Sequence, residues 1–177
     1  MKKLILLSLT LFTLLAMSAC GKGQNSNISL DELVTEIKDA MAEDLKANGV
    51  DEPVVDGQLL GFLEVNLTDP QPEDEYFIDK LKLDKNLLEA GYAIAAMMNV
   101  NSDEIIILQA KDSSNVQALK EALESELDAQ VQTWEQYLPD QYEKVKNNII
   151  KTKGNYLIYI TYDQPEKIEA VFDSKLK

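Results

Sequence analysis

Carboxylates, hydroxyls and lysine amines supply nearly all the side-chain chemistry of this chain. Its 177 residues include 31 Asp and Glu, 17 basic residues that are all Lys, no His, and a single Cys at position 20. No Ser-His-Asp or Cys-His arrangement can form, no metal site can be built from His or several Cys, no disulfide can close, and no Arg fork can grip phosphate or carboxylate. The formal charge of −14 repels nucleic-acid phosphate, so no nucleic-acid partner is expected. Catalysis would be left with paired carboxylates, a Ser or Lys nucleophile, or a carboxylate-bound metal. Asp103-Glu104 is the conspicuous pair, and a cell-wall hydrolase would need two such groups flanking one glycosidic bond. Neighbours on a strand point to opposite faces, which separates them. The acidic stretch Asp69 to Glu75 lacks the alternating oxygen ligands and central Gly of an EF-hand loop and reads as a solvated loop. No enzyme activity, cofactor or metal site is expected.

Cys20 has a more definite chemistry. Lys2 and Lys3 are followed by an apolar stretch, Leu4 to Leu15, and then by Met17, Ser18 and Ala19, directly before Cys20 and Gly21. This is the layout of an export signal, and its apolar part is too short for an ordinary membrane span. The segment resembles a bacterial lipoprotein lipobox, with Met17 where Leu is usual. The resemblance implies cleavage after residue 19 and a diacylglycerol thioether on Cys20. The reading is therefore a signal peptide over 1–19, a lipidated Cys and polar tether over 20–27, and one domain over 28–177. Cleavage removes two lysines, leaving 15 basic against 31 acidic side chains, a charge of −16. A tether of this size reaches about 15 Å, and anionic lipid headgroups would repel the acidic domain it carries.

The elements that position these groups follow from periodicity. Ser29 and Glu32 have capping-box spacing, Ile28 and Leu33 staple spacing, and Leu30, Leu33, Val34, Ile37, Met41 and Leu45 form a helical stripe ending at Asn48-Gly49. Residues 50–86 are punctuated by Pro and Gly and read as a connection containing a short strand near Phe62 to Leu67 and a helical turn at Tyr76 to Leu81. Gly91 to Met98 and Glu104 to Ala110 form a hairpin, and the unbroken apolar run Ile105 to Leu108 predicts a central strand covered on both faces. Asp112 to Ser114, with Ser114 and Gln117 at capping-box spacing, opens a long helix bearing Leu119, Leu123, Leu127 and Trp134, which breaks at Leu138 before Pro139. A shorter helix follows through Val145. Asn148 to Thr152 and Tyr156 to Tyr162 make a second hairpin turning at Gly154, and Asp163 caps a last helix through Ile168, Val171, Phe172 and Leu176. The expected fold is α+β: a four-stranded antiparallel sheet of two hairpins in ββα-ββα order, packed with helices, plus an N-terminal helix.

Four segments carry a family resemblance: Met97 to Ile105, Ala110-Lys111-Asp112, Tyr137 to Tyr142, and Lys153-Gly154-Asn155-Tyr156. They resemble a family of small lipoproteins from Gram-positive bacteria known as a domain of unknown function, most densely over 86–177. The resemblance implies an extracytoplasmic lipoprotein, lipid-anchored at the cell membrane, and carries no activity or site residue. The function expected is a non-catalytic binding module at the cell envelope, its partner an envelope protein or a cell-wall component. The alternative is a small-molecule module with a pocket between sheet and helices lined by Tyr92, Met97, Met98, Trp134 and Tyr159. Trp134 itself falls on the apolar stripe and reads as core.

Overall fold

The computed structural model describes residues 28–176; the signal segment, Cys20 and the tether lie outside the described residues. Ile28 leads into helix α1 (Leu30–Ala47), where the Ser29 hydroxyl accepts the Glu32 amide at 3.1 Å. The helix ends as expected, with Asn48 as its C-cap and Gly49 at φ 89°. A small hairpin, β1 (Val54–Val55) and β2 (Gln58–Leu59), then precedes β3 (Phe62–Asn66). Helix α2 (Glu75–Leu81) follows, then β4 (Leu88–Ala96), β5 (Glu104–Ala110), α3 (Val116–Glu135), α4 (Pro139–Lys146), β6 (Ile149–Lys153), β7 (Tyr156–Thr161) and α5 (Pro165–Lys175).

The described residues thus form five helices and two antiparallel sheets, the larger in the order β3-β4-β5-β7-β6. The expected ββα-ββα core and N-terminal helix are present, but the sheet has five strands rather than four. The fifth is β3, which lies in the Gly- and Pro-punctuated region and pairs along its whole length with β4, Phe62 opposite Ala96 and Asn66 opposite Tyr92. Register explains the layering. Ile105 and Ile107 of β5 share a face with Ile158 and Ile160 of β7, and that face is covered by α1 and α5. Ile106 and Leu108 share the other face with Tyr159 and Leu157, covered by α2 and α3. All four β5 residues from Ile105 to Leu108 are fully buried, as their lack of a polar face predicts.

Three local expectations are corrected. The Ser114–Gln117 box does not form: Asp112 accepts the Ser114 amide at 3.0 Å and starts a 3-10 turn, Ser113–Asn115, and Gln117 bonds Glu121. Asp163 does not cap α5, because its carboxylate pairs with Lys144 at 2.8 Å; Gln164 is the N-cap and Pro165 supplies the preset φ of the first turn. β4 begins at Leu88, three residues before Gly91, and ends before Met97, so Met97 and Met98 stand in the turn and are 69% and 63% exposed.

Candidate functional site

The buried part of the α2/α3 face of the sheet is apolar except for its row nearest the β4–β5 turn. There the register aligns Leu63, Ala95, Glu104 and Thr161 across four strands. Asn148 continues the row, its side-chain amide donating to the Thr161 hydroxyl at 2.9 Å. Glu104 is 4% exposed and cannot be hydrated. Ala95 beside it is small enough to leave a path from α2, and the Lys80 Nζ uses it, reaching Glu104 Oε1 at 2.7 Å.

A second carboxylate arrives from α3. Glu126, 2% exposed, places Oε1 at 2.8 Å from the same Lys80 Nζ. The Gln130 amide, one turn further on, donates to Glu126 Oε1 at 2.6 Å and to Glu104 Oε2 at 3.5 Å. Its carbonyl accepts the Trp134 indole N–H at 2.7 Å. One ammonium therefore serves two buried carboxylates. Burial pushes the Glu104 carboxyl up to about 7, with Lys80 opposing the shift and the Glu126 charge adding to it. Burial also works against the Lys80 charge, but the two carboxylates outweigh it and hold the ammonium above its ordinary value. Burial, with Glu104 and Glu126 nearby, likewise raises the Tyr159 phenol.

Above this cluster lies a cleft of about 480 Å³ between α2 and the β3–β4 edge, lined by Leu63, Tyr76, Phe77, Lys80, Ala95, Ala96 and Met97. Its lining is aliphatic and aromatic apart from Lys80, whose side chain is 34% exposed and whose Nζ lies 5.0 Å from the Phe77 ring centre. Tyr76 packs at 5.5 Å from the Phe77 ring and is 54% exposed at the rim. The cleft thus sets one charged group among apolar side chains.

The five residues expected to line a pocket are not brought together. Tyr159 is fully buried in the core under α3, and Trp134 is buried beside Tyr137, rings 5.7 Å apart, as the apolar stripe predicts. Tyr92 faces the opposite layer, where its hydroxyl donates to Glu64 at 2.8 Å. Met98 is exposed, and Met97 alone joins the cleft. A pocket between sheet and helix exists, with different walls. Asp103 and Glu104 do diverge: the Asp103 carboxylate accepts from Lys144 at 2.6 Å, and Lys144 also holds Asp163, beside a polar cleft of about 400 Å³ near Gln141 and Tyr162. Burial raises the Asp103 carboxyl despite the bonds from Lys144 and Asn101.

Two further surfaces are less specific. A wide depression of about 790 Å³ between α1 and the β1–β2 hairpin is walled by solvated Asp39, Glu43, Asp51, Glu52 and Asp56. The acidic stretch from Asp69 forms the 3-10 turn Pro72–Asp74 that leads into α2. Among the described residues, no group of three or more His, Cys, Asp or Glu is placed to hold a metal ion, and no helix is long and apolar enough to cross a membrane.

Lys80, Glu126 and Gln130 were not evident as site residues from sequence. The available signal was Glu126 itself, which sits seven residues after Leu119 and three after Leu123, on a helical stripe that should be apolar.

Residues 64–162 match the family model described as Domain of unknown function (DUF4358). No curated protein and no solved structure matches the chain.

Proposed function

Because the chain belongs to the DUF4358 family, whose matched span contains Glu104, Lys80, Glu126 and every residue lining the cleft except Leu63, we propose a function from that geometry. The protein is a lipid-anchored, extracytoplasmic, non-catalytic binding module, and the cleft between α2 and the β3–β4 edge is its ligand site. The observation that carries this reading is the apolar cleft with a single charged donor, Lys80, on its wall.

Placement relative to the anchor supports it. The Tyr156 hydroxyl donates to the Ile28 carbonyl at 2.8 Å, so the chain from Cys20 joins the domain beside the start of β7. Thr161, at the other end of β7, belongs to the row whose β3 and β4 members, Leu63 and Ala95, line the cleft. Five residue steps along the strand separate the two ends by about 17 Å. A tether on Cys20 would therefore hold the opposite end to the membrane and turn the cleft away from it. A second reading, docking of an envelope protein or cell-wall component, draws on the exposed Met98 and Val100 next to the cleft rim.

Two experiments test the proposal. Metabolic labelling with radioactive palmitate should mark the wild-type protein and not Cys20→Ala, which should leave the membrane fraction; equal labelling of both would remove the anchor. A photoreactive amino acid at position 97, activated in intact cells, should give a saturable adduct that Tyr76→Asp suppresses. Absence of any adduct sensitive to that substitution would refute the cleft as the binding site.

A further inference from the structure

The cleft also specifies what kind of molecule fits it. We propose that it takes a small amphiphile with an aliphatic or aromatic body and a carboxylate tip, the tip pairing with the Lys80 ammonium and Glu104 taking up a proton as the anion binds. This deepens the reading above and rests on it.

The walls set the body. Apart from the Met97 sulfur and one rim hydroxyl, the side chains of Leu63, Tyr76, Phe77, Ala95, Ala96 and Met97 are hydrocarbon, so an occupant gains by burying hydrocarbon against them. Lys80 sets the tip. Among the described residues it is the one charged side chain lining the cleft, and an ammonium has three N–H donors. Two are used, at 2.7 Å to Glu104 and 2.8 Å to Glu126, and the side chain stays 34% exposed, leaving a third donor for an occupant. Both carboxylates lie behind the ammonium, with side chains 4% and 1% exposed, so a bound molecule meets the cation first. A cationic tip would be repelled there, and a purely hydrocarbon one would leave the donor unmet.

The charge balance supplies the proton. With Lys80, Glu104 and Glu126 all ionised the cluster carries one net negative charge, and a third anion on the same ammonium would double it beside two carboxylates that are themselves shielded from water. The groups facing Glu104 are Lys80 from α2, Glu126 and Gln130 from α3, and Thr161 and Tyr159 from β7. None can add a positive charge, so the balance is restored by protonating a carboxylate. Glu104 already holds its proton to about 7. Anion binding should then draw that proton in, and affinity should fall as pH rises through neutrality.

The test compares octanoate, octanol and octylammonium, an anion, a neutral molecule and a cation with one alkyl body, by calorimetry on the folded protein. Octanoate should bind about tenfold more tightly at about pH 6 than at about pH 8, because a group titrating near 7 is about 90% protonated at the first and about 10% at the second. Octanol should bind more weakly with no pH dependence, and octylammonium should not bind. Glu104→Gln, a fixed neutral side chain, should keep octanoate binding and lose its pH dependence. Lys80→Met should abolish the preference for octanoate over octanol. Should Lys80→Met fail to fold, Glu104→Gln decides alone. Trp134, the only Trp, gives an independent optical signal through its Gln130 link to both carboxylates. The proposal is overturned if octylammonium binds as well as octanoate, if wild-type affinity is equal at the two pH values, if Glu104→Gln retains the pH dependence, or if octanoate does not bind at millimolar concentration. In that last case a Tyr76-sensitive adduct at position 97 would leave the cleft as a binding site and reject only this ligand class.

Discussion

Replacing Glu104 by Gln should change how stability depends on pH, and the size of the change follows from the burial of the cluster. In the unfolded chain this carboxyl titrates near its ordinary 4.5, and in the folded protein near 7. Below 4.5 both states hold the proton and the site contributes no slope. Between 4.5 and about 7 the unfolded chain gives it up while the folded protein keeps it, so stability falls as pH rises. Above 7 both are ionised and the loss is complete. At about 1.36 kcal/mol for each tenfold difference in proton affinity, the descent amounts to about 3 kcal/mol. Glu104→Gln has no proton to lose and should lack this limb. Urea denaturation followed by far-ultraviolet circular dichroism, at a series of pH values, measures both proteins. The variant should gain on the wild type by about 3 kcal/mol between about pH 4 and pH 8, whatever its offset at acid pH. Because other carboxyls, Asp103 among them, shift in both proteins, the difference between the two curves is the informative quantity. Parallel curves would refute the argument, since Glu104 would then titrate like a hydrated carboxyl and its burial beside Glu126 would cost the fold nothing.

Three other substitutions probe the frame around the site. Lys144→Met strands the Asp103 carboxylate, whose pair with Lys144 is at 2.6 Å with side chains 10% and 7% exposed. It should cost about 3–5 kcal/mol at neutral pH and less in acid, where Asp103 is protonated, as a denaturation series would register. Gly91→Ala puts a Cβ 3.1 Å from the Leu67 Cβ and 3.4 Å from the Leu108 Cδ2, and the nearer of these is held by the backbone and cannot turn away. A loss of about 1–3 kcal/mol is expected, and an unchanged melting temperature would show that the β3–β4 seam has slack. Ser29→Ala removes the side-chain acceptor of the Glu32 amide and should cost about 1 kcal/mol, visible as faster amide exchange in the first turn of α1.

The helices and inner strands were legible because their signals are local. Apolar residues at three- and four-residue steps gave α1 and α3, and the uninterrupted Ile105 to Leu108 gave β5, the strand buried on both faces. β3 was legible as a strand but not as part of the sheet. On the side of β3 away from Leu63, Val65 and Leu67, Glu64 points inward, neutralised by Lys38 at 2.6 Å and bonded by Tyr92 and the Leu59 amide, so this charge is a buried pair and not a mark of solvent exposure. The same reversal hid the site. Lys80 meets Glu104 and Glu126 across 24 and 46 positions of sequence, and no local pattern marks an attraction formed only after α2 and α3 have docked on the same face. Asp163 went astray in a similar way, because its carboxylate pairs with Lys144, another partner remote in sequence, while Gln164 takes the N-cap position of α5.

The two inward carboxylates also show why the cleft side is the chemically unfinished one. On the α1 face, Glu64 has one lysine, Lys38, for one negative charge, and its two oxygens accept three bonds, from Lys38, Tyr92 and the Leu59 amide. Charge and hydrogen bonding close there, and α1 covers the face. On the α2 face, two carboxylates share one lysine, the cluster is short by one positive charge, and its ammonium stands on the wall of an open cleft. A fold selected for stability alone would replace Glu126, on its apolar stripe, with Leu and keep a single satisfied pair, since an extra buried carboxylate is costly and a hydrophobic replacement is not. Burial makes the proton on Glu104 exchangeable near neutrality and the Glu126 charge adds to that shift, a property of no use to a core. It is useful to a site whose occupant brings a charge of its own, and departures of this kind from local consistency are expected where a protein binds.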